Sequence, residues 1–377
     1  MKQCKTLCVF GTRPEAIKMA PVVHALDSDV DIISKVCVTG QHRDMLDQVL
    51  EHFEITPDHD LDLMRPNQDL HTLTARILTG MRTILLEEKP DVVLVHGDTA
   101  TAFATTLAAF YLQIPVAHVE AGLRTGDLYS PFPEESNRVL IDRIAQFFFA
   151  PTSRSKQALL NEGHDQSKIW VTGNTVIDAL LWTRDRLPSM EHLNADFGSA
   201  TNALASSAKI VLVTGHRRES FGDGFLQICT ALKKIALQNP DVQLVYPVHL
   251  NPNVQKPVYE LLSDISNIHL IPPQDYKNFV ALMNRSTIIL TDSGGVQEEA
   301  PSLKKPTLVM REKTERPEGV QANLLKLVGT DPNVITQAVQ ELLDDDHAYK
   351  QMQQAPNPYG DGTASNQIVE HLKGALI

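Results

Sequence analysis

Acidic side chains follow two apolar segments that are typical of buried strands. Asp98 follows the segment 92–95, and Glu120 comes directly after the segment 116–119. If these segments are neighbouring parallel strands joined by the intervening helix, both carboxylates emerge at the same edge of the sheet. Glu134, beyond a proline-rich loop, could face them. Carboxylates held close together and partly desolvated acquire raised pKa values and act as acids or bases, so we predict proton-transfer chemistry at this edge.

A simpler interpretation exists for each carboxylate taken alone, since helix capping or solvation explains a single acidic residue better. The group of three at strand ends is more specific than any member. Glu135, next to Glu134, is predicted to be solvated.

A second set of residues predicts an anion site. In the stretch TDSGGVQEEA, a strand runs into Ser293, Gly294 and Gly295 and then into a helical pattern that contains Glu299. Backbone N–H groups at such a helix start favour a phosphate, and Glu299 could accept hydrogen bonds from ribose hydroxyls. The alternative is a plain strand-to-helix turn whose acidic first turn complements the helix dipole.

Cations are concentrated at the predicted strand ends of this acidic chain. Arg13 and Lys18 follow the first strand, in a segment that is neither a Walker A loop nor a GxGxxG fingerprint. His216, Arg217 and Arg218 follow a later strand, and Arg316 adds a further cation. We predict that they pair with a diphosphate, although each alone could be a solvated helix start.

One further aromatic residue and three further segments are interpreted from their positions in the sequence. Phe279 could stack on a base, whereas the segments 249–254 and 272–276 are interpreted as loops after strands. The acidic segment 58–62 has no convincing metal-ligand spacing, and we interpret it as a surface loop.

These residues need a scaffold of alternating strands and helices, and the sequence supplies that alternation twice. Short β-rich runs separated by helical patterns recur before and after a Ser-, Ala- and Asn-rich segment, 188–207. We therefore predict an α/β fold of two Rossmann-like domains with parallel sheets facing across a cleft. The predicted division gives an N-terminal domain over 1–170, joined by the C-terminal helix 363–377, and a nucleotide-binding domain over 171–362.

Composition narrows the classes of function. A chain of 377 residues exceeds the size at which single cores stop growing, and its net charge of −12 disfavours nucleic-acid binding. No run approaches the ~18 apolar residues of a membrane span, and no secretory signal is evident, so we expect a cytoplasmic protein without membrane contact. The four cysteines lack CxxC pairing, so we expect reduced thiols and no structural metal. Because no GxGxxG fingerprint is present, we expect no NAD cofactor.

Eight ordered blocks of the sequence resemble the bacterial non-hydrolysing UDP-N-acetylglucosamine 2-epimerases. The resemblance runs from about Phe10 to the segment 357–362. The blocks are FGTRPEAIKMAP, HGDT, HVEAGLRTGDLYSPFPEE, GNTVIDALL, TGHRRESFG, YPVHLNPNV, TDSGGVQEEAPSL and ERPEG.

This resemblance implies a GT-B-like fold and roles for individual residues. Five residues would surround the reacting sugar, with His216 among the catalytic group, and eight would contact uridine and phosphate. The sugar-facing residues are Lys18, Asp98, Glu120, Glu134 and His216; the others are Arg13, Gln274, Phe279, Ser293, Gly294, Gly295, Glu299 and Arg316.

The resemblance also implies a homodimer that its own substrate, UDP-N-acetylglucosamine, activates at a second, adjacent site. Gln41, His42, Arg217 and His249 match positions used there in some relatives. The implied reaction interconverts UDP-N-acetylglucosamine and UDP-N-acetylmannosamine and supplies N-acetylmannosamine units for surface polysaccharide.

The chemistry requires a route without redox, because no dinucleotide fingerprint is present and the C2 hydrogen is too weakly acidic for simple abstraction. Elimination of UDP to 2-acetamidoglucal, followed by re-addition, provides one. Three alternatives stay open: a GT-B-type glycosyltransferase that needs an acceptor, a hydrolysing epimerase, and a UDP-sugar sensor without turnover.

Overall fold

The structure, a computed structural model, describes residues 3–40, 43–63, 65, 68–193, 197–217 and 221–376. The described residues divide into two compact units. Unit 1 lies within 1–179 and 359–377, and unit 2 lies within 180–358. Each unit contains one parallel sheet, which confirms the two Rossmann-like α/β domains predicted from the alternation.

Unit 1 is built on a sheet of seven parallel strands within the described ranges, in the order β3-β2-β1-β4-β5-β6-β7. The strands are β1 (Cys4–Phe10), β2 (Ile32–Val38), β3 (His59–Asp60), β4 (Val92–His96), β5 (Val116–Val119), β6 (Phe147–Ala150) and β7 (Ile169–Val171). Its helices are α1 (Arg13–Asp27), α2 (Arg43–His52), α3 (Leu70–Glu88), α4 (Ala100–Tyr111), α5 (Glu134–Ile144) and α6 (Ser153–Asn161). Helix α7 (Thr175–Asp185) begins in unit 1 and ends in unit 2.

The central strands of unit 1 are buried along their whole length. Every residue of β4 and β5 is buried, as expected for parallel strands that helices cover on both faces. The stretch 58–62, interpreted above as a surface loop, contains the edge strand β3, so that part of the interpretation was wrong.

The last helix of the chain belongs to unit 1. It is α16 (Ala364–Leu376), which packs against α1. Lys373 Nζ lies 2.8 Å from Asp29 Oδ2 and 2.9 Å from Asp31 Oδ2, and the backbone N–H of Ser365 donates to Asp178 Oδ1 over 2.8 Å. Ion pairs and a hydrogen bond therefore connect both ends of this helix to the rest of unit 1.

Unit 2 has a sheet of six parallel strands in its described part, in the order β10-β9-β8-β11-β12-β13. The strands are β8 (Lys209–Thr214), β9 (Val242–Pro247), β10 (Ile268–Ile271), β11 (Ile288–Thr291), β12 (Thr307–Val309) and β13 (Leu325–Leu327). The helices are α8 (Thr201–Ala205), α9 (Asp223–Gln238), α10 (Pro252–Leu262), α11 (Tyr276–Arg285), α12 (Gly294–Ser302), α13 (Pro317–Gln321), α14 (Pro332–Asp344) and α15 (Asp346–Gln354).

Among the described helices, none combines the length and the apolar character that crossing a membrane requires. The four cysteines are free and buried.

Candidate active site

Glu120 follows β5 in a left-handed backbone conformation, with φ of 67°. Non-glycine residues adopt this region at a cost, and such residues cluster at functional sites. Its carboxylate pairs with Lys18 Nζ from α1, accepts a hydrogen bond from Asn174 Nδ2 over 3.0 Å, and lies 3.4 Å from His96 Nε2 at the end of β4. Two strand ends and a helix thus converge on one carboxylate, whose side chain is 13% exposed.

Lys18 and His96 determine the protonation state of Glu120. Burial raises the pKa of this carboxyl, but the charges and hydrogen bonds of Lys18 and His96 outweigh burial and hold the pKa well below its usual range. The expectation of a raised pKa was therefore wrong for Glu120, because the fold places Lys18 and His96 beside its carboxylate. At neutral pH this residue is a carboxylate.

Gly122, two residues further on, permits a close backbone approach. Its φ is +84°, and a Cβ placed there would lie 2.3 Å from the carbonyl oxygen of Ser155. Gly163 has a similar φ of +86° but has open space around the same position.

We expect Gly122→Ala to destabilise the protein more than Gly163→Ala does. Both variants incur a left-handed backbone cost of about 1–2 kcal/mol. Gly122→Ala adds an overpacking cost of about 1–3 kcal/mol, because the neighbouring atom is backbone. Urea unfolding of the two variants measures the difference, and equal midpoints would contradict the proposed close contact.

Asp98 lies two residues beyond the end of β4 and is held by α5. Arg138 Nη2 donates to Asp98 Oδ2 over 2.6 Å, and Asn137 Nδ2 donates to the Asp98 carbonyl oxygen over 2.8 Å. Both α5 side chains are buried. The start of α5 is consequently fixed beside the carboxyl end of β4.

Glu134 is the first residue of α5 and is half-buried. It precedes Arg138 by four residues, so the two side chains lie on the same face of the helix. Arg138 donates a hydrogen bond to Asp98, so Glu134 lies one helical turn away from a residue that contacts Asp98 directly.

The predicted pairing of the strands that carry the first two carboxylates is confirmed. β4 and β5 are neighbouring parallel strands with His96 opposite Val119, and α4 joins them. Asp98 and Glu120 therefore lie at the same carboxyl edge of the unit 1 sheet, where α5, which carries Glu134, begins.

Glu135 is buried rather than solvated, which corrects the expectation from sequence. It is 1% exposed, and Oε1 accepts hydrogen bonds from the backbone N–H groups of Thr125 and Gly126, each over 2.9 Å. It thereby holds the loop between β5 and α5 in place. Sequence gave no indication of this, because the hydrogen-bond donors are backbone groups about ten residues away.

Sequence reasoning also missed a buried ionic network beneath this edge. His118 Nδ1 lies 2.6 Å from Asp142 Oδ1, and His118 Nε2 lies 2.7 Å from the carbonyl oxygen of Gly97, next to Asp98. Arg124 Nη2 donates to Asp142 Oδ2 over 2.7 Å. Burial raises the pKa of Asp142, yet the His118 and Arg124 partners dominate and lower it.

Arg13 starts α1 at the end of β1 and is half-buried. The helix start is fixed by a capping box, in which Glu15 accepts from the Thr12 N–H over 2.8 Å. Glu15 also accepts from the Thr99 hydroxyl over 2.6 Å, which ties this turn to the turn after β4. Burial raises the pKa of Glu15 despite these hydrogen bonds.

In unit 2, the glycine turn forms as predicted from the sequence pattern. β11 leads to Ser293, and α12 starts at Gly294. A Cβ at Gly294 would lie 3.4 Å from Arg217 Nη2 and 3.7 Å from Arg316 Cζ. Two guanidinium groups thus flank a helix N-terminus, an arrangement suited to a phosphate or diphosphate.

Two acidic residues of α12 accept hydrogen bonds from side chains that lie near this turn. Arg316 Nε donates to Glu298 Oε1 over 2.6 Å. Glu299 is buried, and its Oε1 accepts from the Tyr276 hydroxyl of α11 over 3.0 Å. Gln274 precedes α11 and donates to the Pro272 carbonyl over 2.8 Å.

The remaining predicted residues of unit 2 lie on neighbouring elements. Phe279 is half-buried on α11. His216 and Arg217 follow β8, and the His216 ring stacks on the ring of His249, with centroids 5.2 Å apart and planes at 15°.

Two predicted effector residues, Gln41 and His42, and the predicted cation Arg218 lie outside the described residues. In the part of the chain that the structure describes, no group of three His, Cys, Asp or Glu side chains could hold a metal ion.

Two α/β units, each built on a parallel sheet in its described part, place the chain in the class of GT-B-like α/β proteins. A family model described as UDP-N-acetylglucosamine 2-epimerase matches residues 24–373. The chain belongs to this family.

Individual relatives agree over nearly the whole length. The UDP-N-acetylglucosamine 2-epimerases of Yersinia pestis and Escherichia coli K12 are 60% and 59% identical, each over 99% of both chains. The crystal structure of the Neisseria meningitidis enzyme, bound to UDP-GlcNAc, is 50% identical with a TM-score of 0.87, over 98% of this chain and 100% of that one. The Methanocaldococcus jannaschii enzyme, in complex with UDP-GlcNAc and UDP, is 34% identical with a TM-score of 0.78, over 98% and 99%.

Proposed function

We propose that this chain interconverts UDP-N-acetylglucosamine and UDP-N-acetylmannosamine by inverting C2 of the sugar. The observation that carries the proposal is the cluster of Asp98, Glu120 and Glu134 at one sheet edge of a family member. Proton transfer on two faces of C2 needs at least two such groups. The names of the curated relatives support the same reaction.

The proposed reaction is an elimination followed by an addition. The C1–O bond breaks with its electron pair leaving on the UDP oxygen, positive charge develops at C1, and a carboxylate takes the C2 proton. The products are 2-acetamidoglucal and bound UDP. UDP then re-adds at C1, while a group on the opposite face protonates C2.

The UDP leaving group is assigned to the turn at the start of α12. Ser293, Gly294 and Gly295 offer backbone N–H groups, and Arg316 supplies positive charge. Glu299 is assigned to the ribose hydroxyls, while Gln274 and Phe279 are assigned to the uracil. His216 is assigned to the leaving diphosphate.

We assign to Glu120 the role of a group that acts as a carboxylate throughout this reaction. Its pairing with Lys18 favours the carboxylate, which can stabilise positive charge at C1 or accept a proton, but is poorly suited to donate one. Proton donation is thus assigned to the other members of the cluster.

Lys18→Met tests the ionised state of Glu120. Removing the ammonium leaves burial to raise the pKa of Glu120, so its base form is lost at a higher pH as the solution is acidified. The acid limb of the kcat/KM profile, measured from about pH 5 to 9, should therefore move to higher pH. Lys35→Met, which removes an exposed partner of Asp58, is the control and should leave the limb in place. If the acid limbs of the parental chain, Lys18→Met and Lys35→Met superimpose, Glu120 does not act as a carboxylate whose ionisation depends on Lys18.

Nuclear magnetic resonance of the product mixture tests the function directly. Purified protein is incubated with UDP-N-acetylglucosamine, without acceptor, NAD or added metal, and the expected product is nucleotide-linked N-acetylmannosamine. Free N-acetylmannosamine would indicate a hydrolysing epimerase. Unchanged substrate would favour an acceptor-dependent glycosyltransferase or a sensor, and adding acceptor sugars separates those two.

Activation by the substrate at a second site is part of the proposal. Arg217 and His249 lie beside Gly294 and His216 respectively, so effector and substrate groups adjoin within unit 2. A relative solved in complex with both UDP-GlcNAc and UDP supports this reading. The expected result is an initial lag, or a sigmoidal dependence of rate on substrate, when UDP-N-acetylglucosamine is the only nucleotide present.

We also propose a homodimer, supported by apolar side chains exposed on neighbouring helices of unit 1. Leu86 of α3, Phe110 and Tyr111 of α4 and Leu140 of α5 are each more than one-third exposed, and α4 packs against both other helices. Light scattering of the purified chain should give twice the 41.8 kDa mass. The cytoplasmic location and the supply of a surface polysaccharide stay predictions.

A further inference from the structure

Asp292 is a fully buried carboxylate that has no role in the site described so far. It directly follows β11 and is 0% exposed. Its backbone N–H donates to the Thr214 carbonyl at the end of β8 over 3.1 Å. The pairing of β8 with β11 therefore places this side chain beneath the turn that carries His216 and Arg217.

One carboxylate oxygen of Asp292 fixes the backbone of that turn. Oδ2 accepts hydrogen bonds from the N–H groups of His216, over 2.7 Å, and Arg217, over 2.8 Å. The Tyr246 hydroxyl donates to the carbonyl of the preceding Gly215 over 2.9 Å. These bonds hold the turn from below.

The other oxygen faces the His216 ring. Oδ1 is buried and has no hydrogen-bond partner among the described atoms, and it lies 3.6 Å from His216 Nδ1. That separation exceeds a hydrogen bond but is within ion-pair range, and such contacts commonly tighten when substrate binds. Since Nδ1 faces Asp292, Nε2 is the nitrogen that can reach a ligand.

The electrostatic surroundings of His216 require such a partner. Burial lowers the pKa of His216, and the neighbouring His249 and Arg217 side chains lower it further, whereas Asp292 alone among the described neighbours acts to raise it. The His249 ring is stacked on His216, and its Nδ1 accepts the Asn251 N–H over 3.1 Å. Without Asp292, none of the described neighbours would stabilise a proton on His216.

We propose that Asp292 is a positioning residue that acts through His216, holding the ring so that Nδ1–H points at the carboxylate and Nε2–H donates to the departing diphosphate. This inference rests on the proposed function. As the C1–O bond breaks, its electron pair goes to the phosphate oxygen, and the His216 imidazolium donates a hydrogen bond, or its Nε2 proton, to that charge. Asp292 remains beside Nδ1 and takes no part in the making or breaking of bonds.

The test compares Asp292→Asn in two backgrounds, the parental chain and His216→Asn. In the parental background we expect kcat/KM to fall about 10–100-fold, the usual cost of removing the partner that orients a functional histidine. In the His216→Asn background the same substitution should have little further effect, because its target is gone. Asp331→Asn is the matched control, because Asp331 also accepts two backbone N–H groups, at the start of α14.

A second readout does not depend on turnover. Ring resonances of His216, followed by NMR against pH with and without UDP, should titrate at lower pH in Asp292→Asn than in the parental chain. An equal loss of kcat/KM in both backgrounds, or an unmoved His216 titration, would overturn the proposal. If the parental chain proved inactive as an epimerase, the titration and UDP binding would still decide the inference about Asp292.

Discussion

Replacing Asp98, Glu120 or Glu134 by its amide should lower kcat by about 10²–10⁴-fold, the range expected for loss of a general acid or base. Each amide keeps the size of the side chain but removes the charge or the proton-transfer capacity. Turnover measured at saturating UDP-N-acetylglucosamine gives the effect on the chemical steps. The affinity for UDP should change less than kcat, because the residues assigned to bind the diphosphate lie on other helices and loops.

The controls for this series separate chemistry from folding. Glu87→Gln changes an exposed carboxylate of α3 and should leave kcat unchanged. Glu120→Gln also removes the carboxylate that pairs with Lys18, so its thermal unfolding must be measured alongside its activity. Near-parental turnover in all three amide variants would show that the cluster is not the proton-transfer site.

Replacing Arg316 by Met should weaken UDP binding by about 10–100-fold, since hydrogen bonds to charged groups contribute roughly 1.5–3 kcal/mol. The guanidinium lies against Gly294 at the start of α12, where the diphosphate is assigned. Isothermal titration calorimetry with UDP measures the loss directly. The affinity of the variant should also depend less on salt concentration.

Two further variants make the Arg316 result interpretable. Arg316→Met leaves buried Glu298 without its 2.6 Å partner, and the double variant Arg316→Met/Glu298→Gln removes that carboxylate charge. If the double variant also binds UDP weakly, the loss reflects the missing cation. Lys326→Met, which removes an exposed ion pair with Glu341, should bind UDP with the affinity of the parental chain. Parental affinity in Arg316→Met would remove this residue from the proposed site.

The sequence was most informative where burial and strand order determine position. Short, wholly apolar runs such as 92–95 between helical patterns indicate buried strands, and a parallel sheet brings consecutive strand ends to one edge. The two-residue strand His59–Asp60 was missed because backbone pairing to β2, rather than an apolar pattern, defines it.

Side-chain partners were far less predictable than strand ends. Glu135 and Asp142 sit among ordinary polar residues of α5, yet the fold buries both and supplies their partners from distant segments. The protonation of Glu120 could not be inferred for the same reason, because Lys18 is 102 residues away in the chain. Nothing in local spacing encodes such contacts, and they appear only when helices pack onto the sheet.

The central claim is that C2 loses its proton while UDP leaves C1, and solvent exchange tests that claim most directly. The chain is incubated with UDP-N-acetylglucosamine in D₂O, without acceptor or NAD, and the products are examined by NMR and mass spectrometry. Elimination and re-addition predict nucleotide-linked N-acetylmannosamine that carries deuterium at C2. Epimerised product that retains the original hydrogen at C2 in D₂O, or no nucleotide-linked product at all, would contradict the mechanism.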